Sequence, residues 1–462
     1  MLSGGEVMTD VRDASGRQAE PDASVHSIVG RGGRDGASMF REWYDSLSQA
    51  AERGEPAAYV FVMGSLAEIL RTFGLHMVFP EVNSLQTAVR RVAHEYLNEA
   101  EDYGYSPDVC GYVKADVALQ LRGGEHPMGR IPKPALAVLT NACNTYIKWA
   151  EIWERMYGVP VFTLDVPGTR AAGTQAWPGT DGFERDKSYV YHQLLELIGL
   201  CEQVTKQRLD IDRLRMVLAE TNALNRSWRR MLDLNRARPA PFNAVTDATI
   251  FLGVSNGFRG TERGSRYFRE LTEEMEFKAA NGLGTIADER VRLIFVGVPC
   301  YPIFRRFNDL FAERGGVFVS STYLWFASGG AGLDFEYDLR RPIESLAEGV
   351  LLGVRHAMDS MFFQDRMLLD LIEPYGIDGV VFHAVKSCRT VSTGLADVRR
   401  SILAERDVAT LFLESDMMDK RTVSEAQLKN RVDAFFEGLE SRRRIAALGS
   451  SKGESDGVRG GR

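Results

Sequence analysis

Short, continuous apolar runs alternate with amphipathic stretches along most of the chain. AAYVFVMG (57–64), LHMVFPEV (75–82), ALAVLTNA (135–142) and VPVFTLDVP (159–167) form a first set. VRLIFVGVP (291–299), GGVFVSST (315–322), GVVFHAV (379–385) and ATLFLES (409–415) form a second. Such runs suit parallel strands covered on both faces by helices. Helices are predicted between them. SLAEILRTF begins at Ser65, with Ser65 and Glu68 at capping-box spacing. YPIFRRFNDLFAERGG stops at Gly315 and Gly316, a helix-end signal.

The pattern predicts an α/β fold with two doubly wound domains, each holding a mostly parallel four-stranded sheet. We place the first domain at 39–185 and the second at 291–445. Residues 186–290 lack a strand-like run. KSYVYHQLLELIGLCEQVTKQ and DIDRLRMVLAETNALNRSWRRMLDLNR have helical periodicity, so this stretch is expected to be a helical connector. Residues 1–38 contain seven glycines and few large apolar side chains, and are expected to form a flexible arm. Residues 446–462 are expected to form a flexible tail.

Composition narrows the function. Apolar residues make up 44% and charged residues 26%, a globular profile, and the formal charge is −7. That balance argues against nucleic-acid binding and offers no polybasic case for a membrane surface. No run reaches the roughly 18 apolar residues of a spanning helix. The beginning, MLSGGEVMTDVRDASGRQ, lacks the basic start and apolar core of a secretory signal, so the expected compartment is the cytoplasm. No G-x-x-x-x-G-K-[ST] is present, so the chain is not expected to be a P-loop ATPase, and WFASGGAG lacks the context of a dinucleotide loop.

The five cysteines are Cys110, Cys143, Cys201, Cys300 and Cys388. An odd number, a low density and no C-x-x-C pair argue against a disulfide framework or a zinc ribbon. From spacing alone, five buried thiols is the simplest account. Topology changes that. Cys143 and Cys388 each follow the third strand of their set, Cys300 follows the first strand of the second set, and Cys110 lies in the turn-like YSPDVCGY. If the two domains face one another, Cys110, Cys143 and Cys388 can converge in the cleft between them. Three thiolates from separate loops suit an iron–sulfur cluster or a zinc ion and leave one metal corner open. Cys201, within ELIGLCEQV, is expected in the core. Glu125 and His126, in LRGGEHPMGRIPKP, suit either a solvated loop or an anion contact. His383 suits a buried structural role or a proton donor.

The chain resembles the 2-hydroxyacyl-CoA dehydratase and benzoyl-CoA reductase family, most strongly its ATP-dependent (class I) benzoyl-CoA reductase branch. The likeness is carried by FPEVNSLQTAVRRVAHEYLNEAEDYGYSPDVCGYVKADVALQLRGGEHPMGRIPKP, LAVLTNACNTYIKWAEIWERMYG, FTLDVPGTRAAGTQ and FLGVSNGFRGT. It continues through IFVGVPCYPIFRRFNDLF, STYLWFASGGA, HAVKSCRTVSTGLADVRR and ESDMMDKRTVSEAQLKNRVDAFFEGL, and covers about residues 40–445.

The resemblance implies two Rossmann-like domains and a [4Fe–4S] cluster held by Cys110, Cys143 and Cys388. It leaves Cys300 open as a fourth ligand, a pocket residue or a packed thiol. It implies dearomatisation of benzoyl-CoA to a cyclohexadiene carbonyl-CoA. The implied partners are a related small catalytic subunit, ATP-hydrolysing activator subunits and ferredoxin as electron source, with no nucleic acid and no membrane. His126, His383 or water are the candidate proton donors, and no catalytic residue is assigned. The alternatives are a methylbenzoyl-CoA reductase subunit, a 2-hydroxyacyl-CoA dehydratase subunit, or a non-catalytic subunit without redox chemistry.

Overall fold

The computed structural model describes residues 28–168, 177–357 and 361–456. All eight expected runs supply strands. In the first half these are β1 (Ala57–Val60), β2 (His76–Val78), β5 (Pro134–Thr140) and β6 (Val161–Leu164). In the second they are β7 (Val291–Gly297), β8 (Gly316–Ser321), β9 (Gly379–Val385) and β10 (Ala409–Ser415). A hairpin of β3 (Glu125–His126) and β4 (Gly129–Arg130) is an addition to the sequence reading.

The first sheet runs β2-β1-β5-β6 and the second β10-β9-β7-β8, and both are parallel throughout. In the first, the third strand of the half lies beside its first strand, and the same is true of the second. The winding reverses between β1 and β5 and between β7 and β9, and ligand crevices open beyond the carboxyl ends of strands at such points. β1 and β7 are buried along their whole length, as uninterrupted apolar runs require, while the edge strand β6 is partly open.

Four helices, Asp181–Thr205, Ile211–Leu234, Thr246–Gly257 and Glu262–Ala280, occupy the stretch read as a connector. Thr180, Asp210 and Thr261 cap three of them by accepting bonds from backbone N–H groups of the first turn. Among the described residues, no helix is long and apolar enough to cross a membrane.

The structure departs from the sequence reading in four places. Helix Arg31–Arg53 begins inside the stretch expected to be a flexible arm. Its glycines permit close packing: a Cβ on Gly32 would collide with the Leu271 side chain, and one on Gly36 would lie 2.5 Å from Tyr267. Glu274 accepts from the N–H groups of Gly30 and Gly32, and Tyr267 donates to Gly32 O. The first 27 residues of that arm lie outside the described residues. The last helix, Glu425–Asp456, likewise runs into the expected tail, whose final six residues lie outside the description.

The other two departures are local. The run 75–82 is not all strand, because Pro80 heads helix Pro80–Val89. The Ser65–Glu68 capping box does not form. Its helix starts at Ala67 behind a left-handed Leu66, with no side-chain cap. Glu68 instead accepts from buried Arg259 Nε at 2.6 Å.

Candidate functional site

Each of Cys110, Cys143 and Cys388 is the residue immediately before a helix. Cys143 follows β5 and heads Asn144–Tyr157, Cys388 follows β9 and heads Arg389–Ser392, and Cys110 heads Gly111–Leu121. β5 and β9 are the third strands of the two halves, so matching crossovers present Cys143 and Cys388. First-turn N–H groups, of Val113 at Cys110 and of Val391 at Cys388, lower the thiol pKa, against the larger opposing effect of burial.

The structure brings the three loops together. Cys143 Sγ lies 3.2 Å from Thr390 Oγ1, which is also 3.2 Å from Asn144 Oδ1. The N–H of Gly111 donates to Ser387 Oγ at 3.3 Å, tying the Cys110 and Cys388 loops. Burial pushes the Cys388 thiol up to about 12, and the neighbouring Cys143 pushes in the same direction. Burial also raises the Cys110 thiol, and Cys388 adds to the effect. Buried, mutually repelling thiols ionise when a cation offsets their charge. Among the described residues, no three His, Cys, Asp or Glu side chains are placed to share one metal ion. The donor set fits a multi-iron cluster better, since each thiolate there binds a different iron.

A buried clamp fixes these loops. Asp416 accepts from Ser387 N at 2.9 Å with one oxygen and from Met418 N and Asp419 N with the other. Met418 lies against Gly111, where a Cβ would come within 2.7 Å of the Met418 Cβ. The position beside Cys110 therefore requires glycine.

Cys300 also lies at a strand end, just beyond β7, but is fully buried. His383 Nδ1 lies 2.6 Å from the carbonyl of Val298, which only accepts, so Nδ1 carries the proton. His383 Nε2 is then an acceptor, and the Ser415 hydroxyl donates to it at 2.6 Å. Burial raises the pKa of the nearby Cys300 thiol to about 11, against a smaller lowering effect of Ser415. His383, held neutral by burial, orders the chain. Cys201 is fully buried in its helix, as expected.

His126 is buried in the β3–β4 hairpin. Its Nε2 is 3.0 Å from Asn83 O, its Nδ1 accepts from Met128 N, and its ring stacks on Tyr44. Burial lowers its pKa to about 4, so it is neutral at pH 7. Glu125 is exposed.

The sequence reading missed Glu81. It lies one residue into helix Pro80–Val89, within a run read as a strand. Its carboxyl accepts from Val62 N at 2.7 Å and bonds Tyr146 Oη at 2.6 Å. Burial raises its pKa to about 7, against the lowering effect of those two bonds. Tyr146 stacks on Phe61 with centroids 3.7 Å apart and lies within the electrostatic reach of Cys143 and Cys388. Tyr301 and Tyr323 are hydrogen-bonded to each other at 3.0 Å, and the buried Tyr112 hydroxyl beside them lacks a partner of good geometry among the described residues. The signal in the sequence was a single carboxylate inside the apolar run LHMVFPEV.

The profile of the family described as 2-hydroxyglutaryl-CoA dehydratase, D-component, matches residues 64–439. The matching benzoyl-CoA reductase subunit of Thauera aromatica is 30% identical over 419 residues, 88% of this chain and 94% of that protein. The (R)-phenyllactyl-CoA dehydratase alpha subunit of Clostridium sporogenes is 25% identical over 86% of this chain and 92% of its own length. The (R)-2-hydroxyglutaryl-CoA dehydratase alpha subunit of Acidaminococcus fermentans is 23% identical over 86% and 94%.

Proposed function

The chain belongs to the 2-hydroxyglutaryl-CoA dehydratase D-component family, and from that premise we propose that it is a catalytic subunit acting on an acyl-CoA. The specific reading is an ATP-dependent, ferredoxin-linked benzoyl-CoA reductase that dearomatises the ring to a cyclohexadiene carbonyl-CoA. The observation that carries a redox centre is the meeting of Cys110, Cys143 and Cys388, each at a helix start. The likeness to the Thauera reductase favours the reductase branch over the dehydratases, which match at lower identity.

In this reading Cys110, Cys143 and Cys388 hold a [4Fe–4S] cluster. When bound, that cluster supplies one-electron transfer at a potential set by charge, burial and hydrogen bonds to sulfur. The chain's own groups have separable tasks. The first-turn N–H groups of Val113 and Val391 favour the ionised forms of Cys110 and Cys388, and Thr390 Oγ1, which donates to Asn144 Oδ1, sits against Cys143 Sγ. Asp416 and the Gly111–Met418 contact set the spacing of the Cys110 and Cys388 loops. Glu81 accepts from the Tyr146 hydroxyl at Oε1 and from Val62 N at Oε2, and burial brings its pKa to about 7, suited to taking up and giving back a proton. His126 and His383 are neutral and already bonded at both ring nitrogens, which leaves Glu81 the better proton holder.

A related small subunit, ATP-hydrolysing activator subunits and ferredoxin are the partners of this reading, and the cytoplasm its compartment. The deciding experiment is anaerobic co-expression with those partners and an assay of benzoyl-CoA with reduced ferredoxin, with and without ATP. The reductase consumes donor in every turnover and makes a cyclohexadiene thioester. A dehydratase needs the donor only for activation, and turnover of 2-hydroxyacyl-CoA without continuing donor consumption would overturn the reductase reading.

A further inference from the structure

A cavity of about 390 Å³ lies beside the first residues of β2, with His76 and Met77 in its wall. It sits at the amino end of a strand in a parallel sheet, whereas Cys143 and Cys388 follow carboxyl ends. Its other walls come from helix Arg31–Arg53 and from the turn between helices Thr246–Gly257 and Glu262–Ala280. Glu42 and Arg263, paired at 2.6 Å and each about half exposed, mark its opening to solvent. Its body is apolar, lined by Trp43, Leu47, Leu75, Met77 and Phe258.

Half-buried Arg71 reaches this cavity from helix Ala67–Thr72. Its Nε donates to Arg259 O at 2.8 Å and its Nη2 to Gly257 O at 2.9 Å. Those two bonds occupy one edge of the guanidinium. The other edge, formed by Nη1 and the second hydrogen of Nη2, has no acceptor among the described residues, and Arg71 has no ion pair among them. Glu68 acts on Arg71 electrostatically but is bonded to Arg259, and Arg213 adds a second positive field. Burial lowers the Arg71 pKa to about 10, which leaves it charged at neutral pH. The other charged groups of the wall are paired: Arg263 holds Glu42, and His76 Nε2 lies 2.8 Å from Glu55.

A half-buried cation with no carboxylate beside it favours an anion from outside the chain. The free edge of Arg71 is a planar fork, the shape that meets a carboxylate through two parallel bonds. One unpaired cation balances one negative charge, while Glu42 and Glu55 oppose a dianion such as phosphate. The apolar walls suit a hydrocarbon body. Ligand pockets span about 300–1,000 Å³, so this one takes a small acid and not a whole coenzyme.

We propose that this cavity is a binding site for a small monocarboxylate with an apolar body, held by the free edge of Arg71 and separate from the cysteine centre. The site does not depend on the acyl-CoA reading. Because Arg71 also holds Gly257 O and Arg259 O, a bound acid braces the turn between two helices.

Titration calorimetry on the full chain measures hexanoate, its neutral amide hexanamide, and inorganic phosphate. Hexanoate is expected to bind about tenfold or more tightly than either, and to raise the unfolding temperature. Arg71→Lys keeps the charge and loses the fork, and should weaken hexanoate about tenfold while leaving hexanamide unchanged. Ser46→Trp, at an exposed position on the cavity wall, obstructs the site without touching the Arg71 bonds and should weaken both organic compounds. It keeps the test decisive where Arg71→Lys fails to fold. Hexanamide or phosphate binding as tightly as hexanoate overturns the assignment. So does an absence of hexanoate binding, or an undiminished hexanoate affinity in either folded variant.

Discussion

Tyr146 and Glu81 share a 2.6 Å hydrogen bond beneath the Cys143 loop, joining the helix that follows β5 to the helix that follows β2. The carboxyl is buried, and its pKa is raised from 4.5 to about 7. The pair therefore changes protonation close to neutral pH, next to the cysteines.

Replacing Glu81 with Gln should keep the bond to Tyr146 and remove the transferable proton. Turnover is expected to fall by about 10²–10⁴-fold, with iron content unchanged. Undiminished turnover in Glu81→Gln would clear Glu81 of a proton-transfer role.

The same residue sets a pH dependence of stability. The folded protein holds the Glu81 proton more tightly than the unfolded chain. Its contribution is present in full below about pH 4.5 and is lost as pH rises through about 7. Asp116, buried and raised from 3.8 to about 6, acts in the same direction. Unfolding midpoints measured from about pH 5 to 8 should therefore decline more steeply in the wild type than in Glu81→Gln.

Iron and sulfide analysis of anaerobically purified variants separates the cysteines. Ala at Cys110, Cys143 or Cys388 should remove most of the iron and abolish reduction. Ala at Cys300 should leave iron in place, because its thiol is fully buried in the core. Loss of iron in Cys300→Ala would make it a fourth ligand.

Gly111→Ala should push Met418 and widen the gap between the Cys110 and Cys388 loops. A cost of about 1–3 kcal/mol is expected from the overpacking. Electron paramagnetic resonance of the reduced variant would report the altered cluster environment, and an unchanged spectrum would contradict the clamp.

Asp116 offers a purely structural contrast. One of its oxygens accepts from the indole nitrogens of both Trp149 and Trp153 at 2.7 Å, and the other from Gln120. Asp116→Ala leaves those buried donors unpaired and should destabilise the fold by about 3 kcal/mol or more. Chemical denaturation measures it directly.

The apolar runs determined the eight strands and their parallel arrangement, because a strand covered on both faces must be apolar at every position. They also placed Cys143 and Cys388 at equivalent strand ends, with Cys110 in a turn able to join them, and the resemblance pointed to the same three. Glycine-rich composition misled at residues 31–38, where the absence of side chains serves close packing rather than freedom. The Ser65–Glu68 spacing misled because Arg259, 191 residues away, takes the carboxylate. Glu81 and the order of protons through Val298, His383 and Ser415 needed the folded chain. Local sequence carries periodicity, but a pKa, a proton's position and a cavity depend on which distant groups share a buried space, and only tertiary packing decides that.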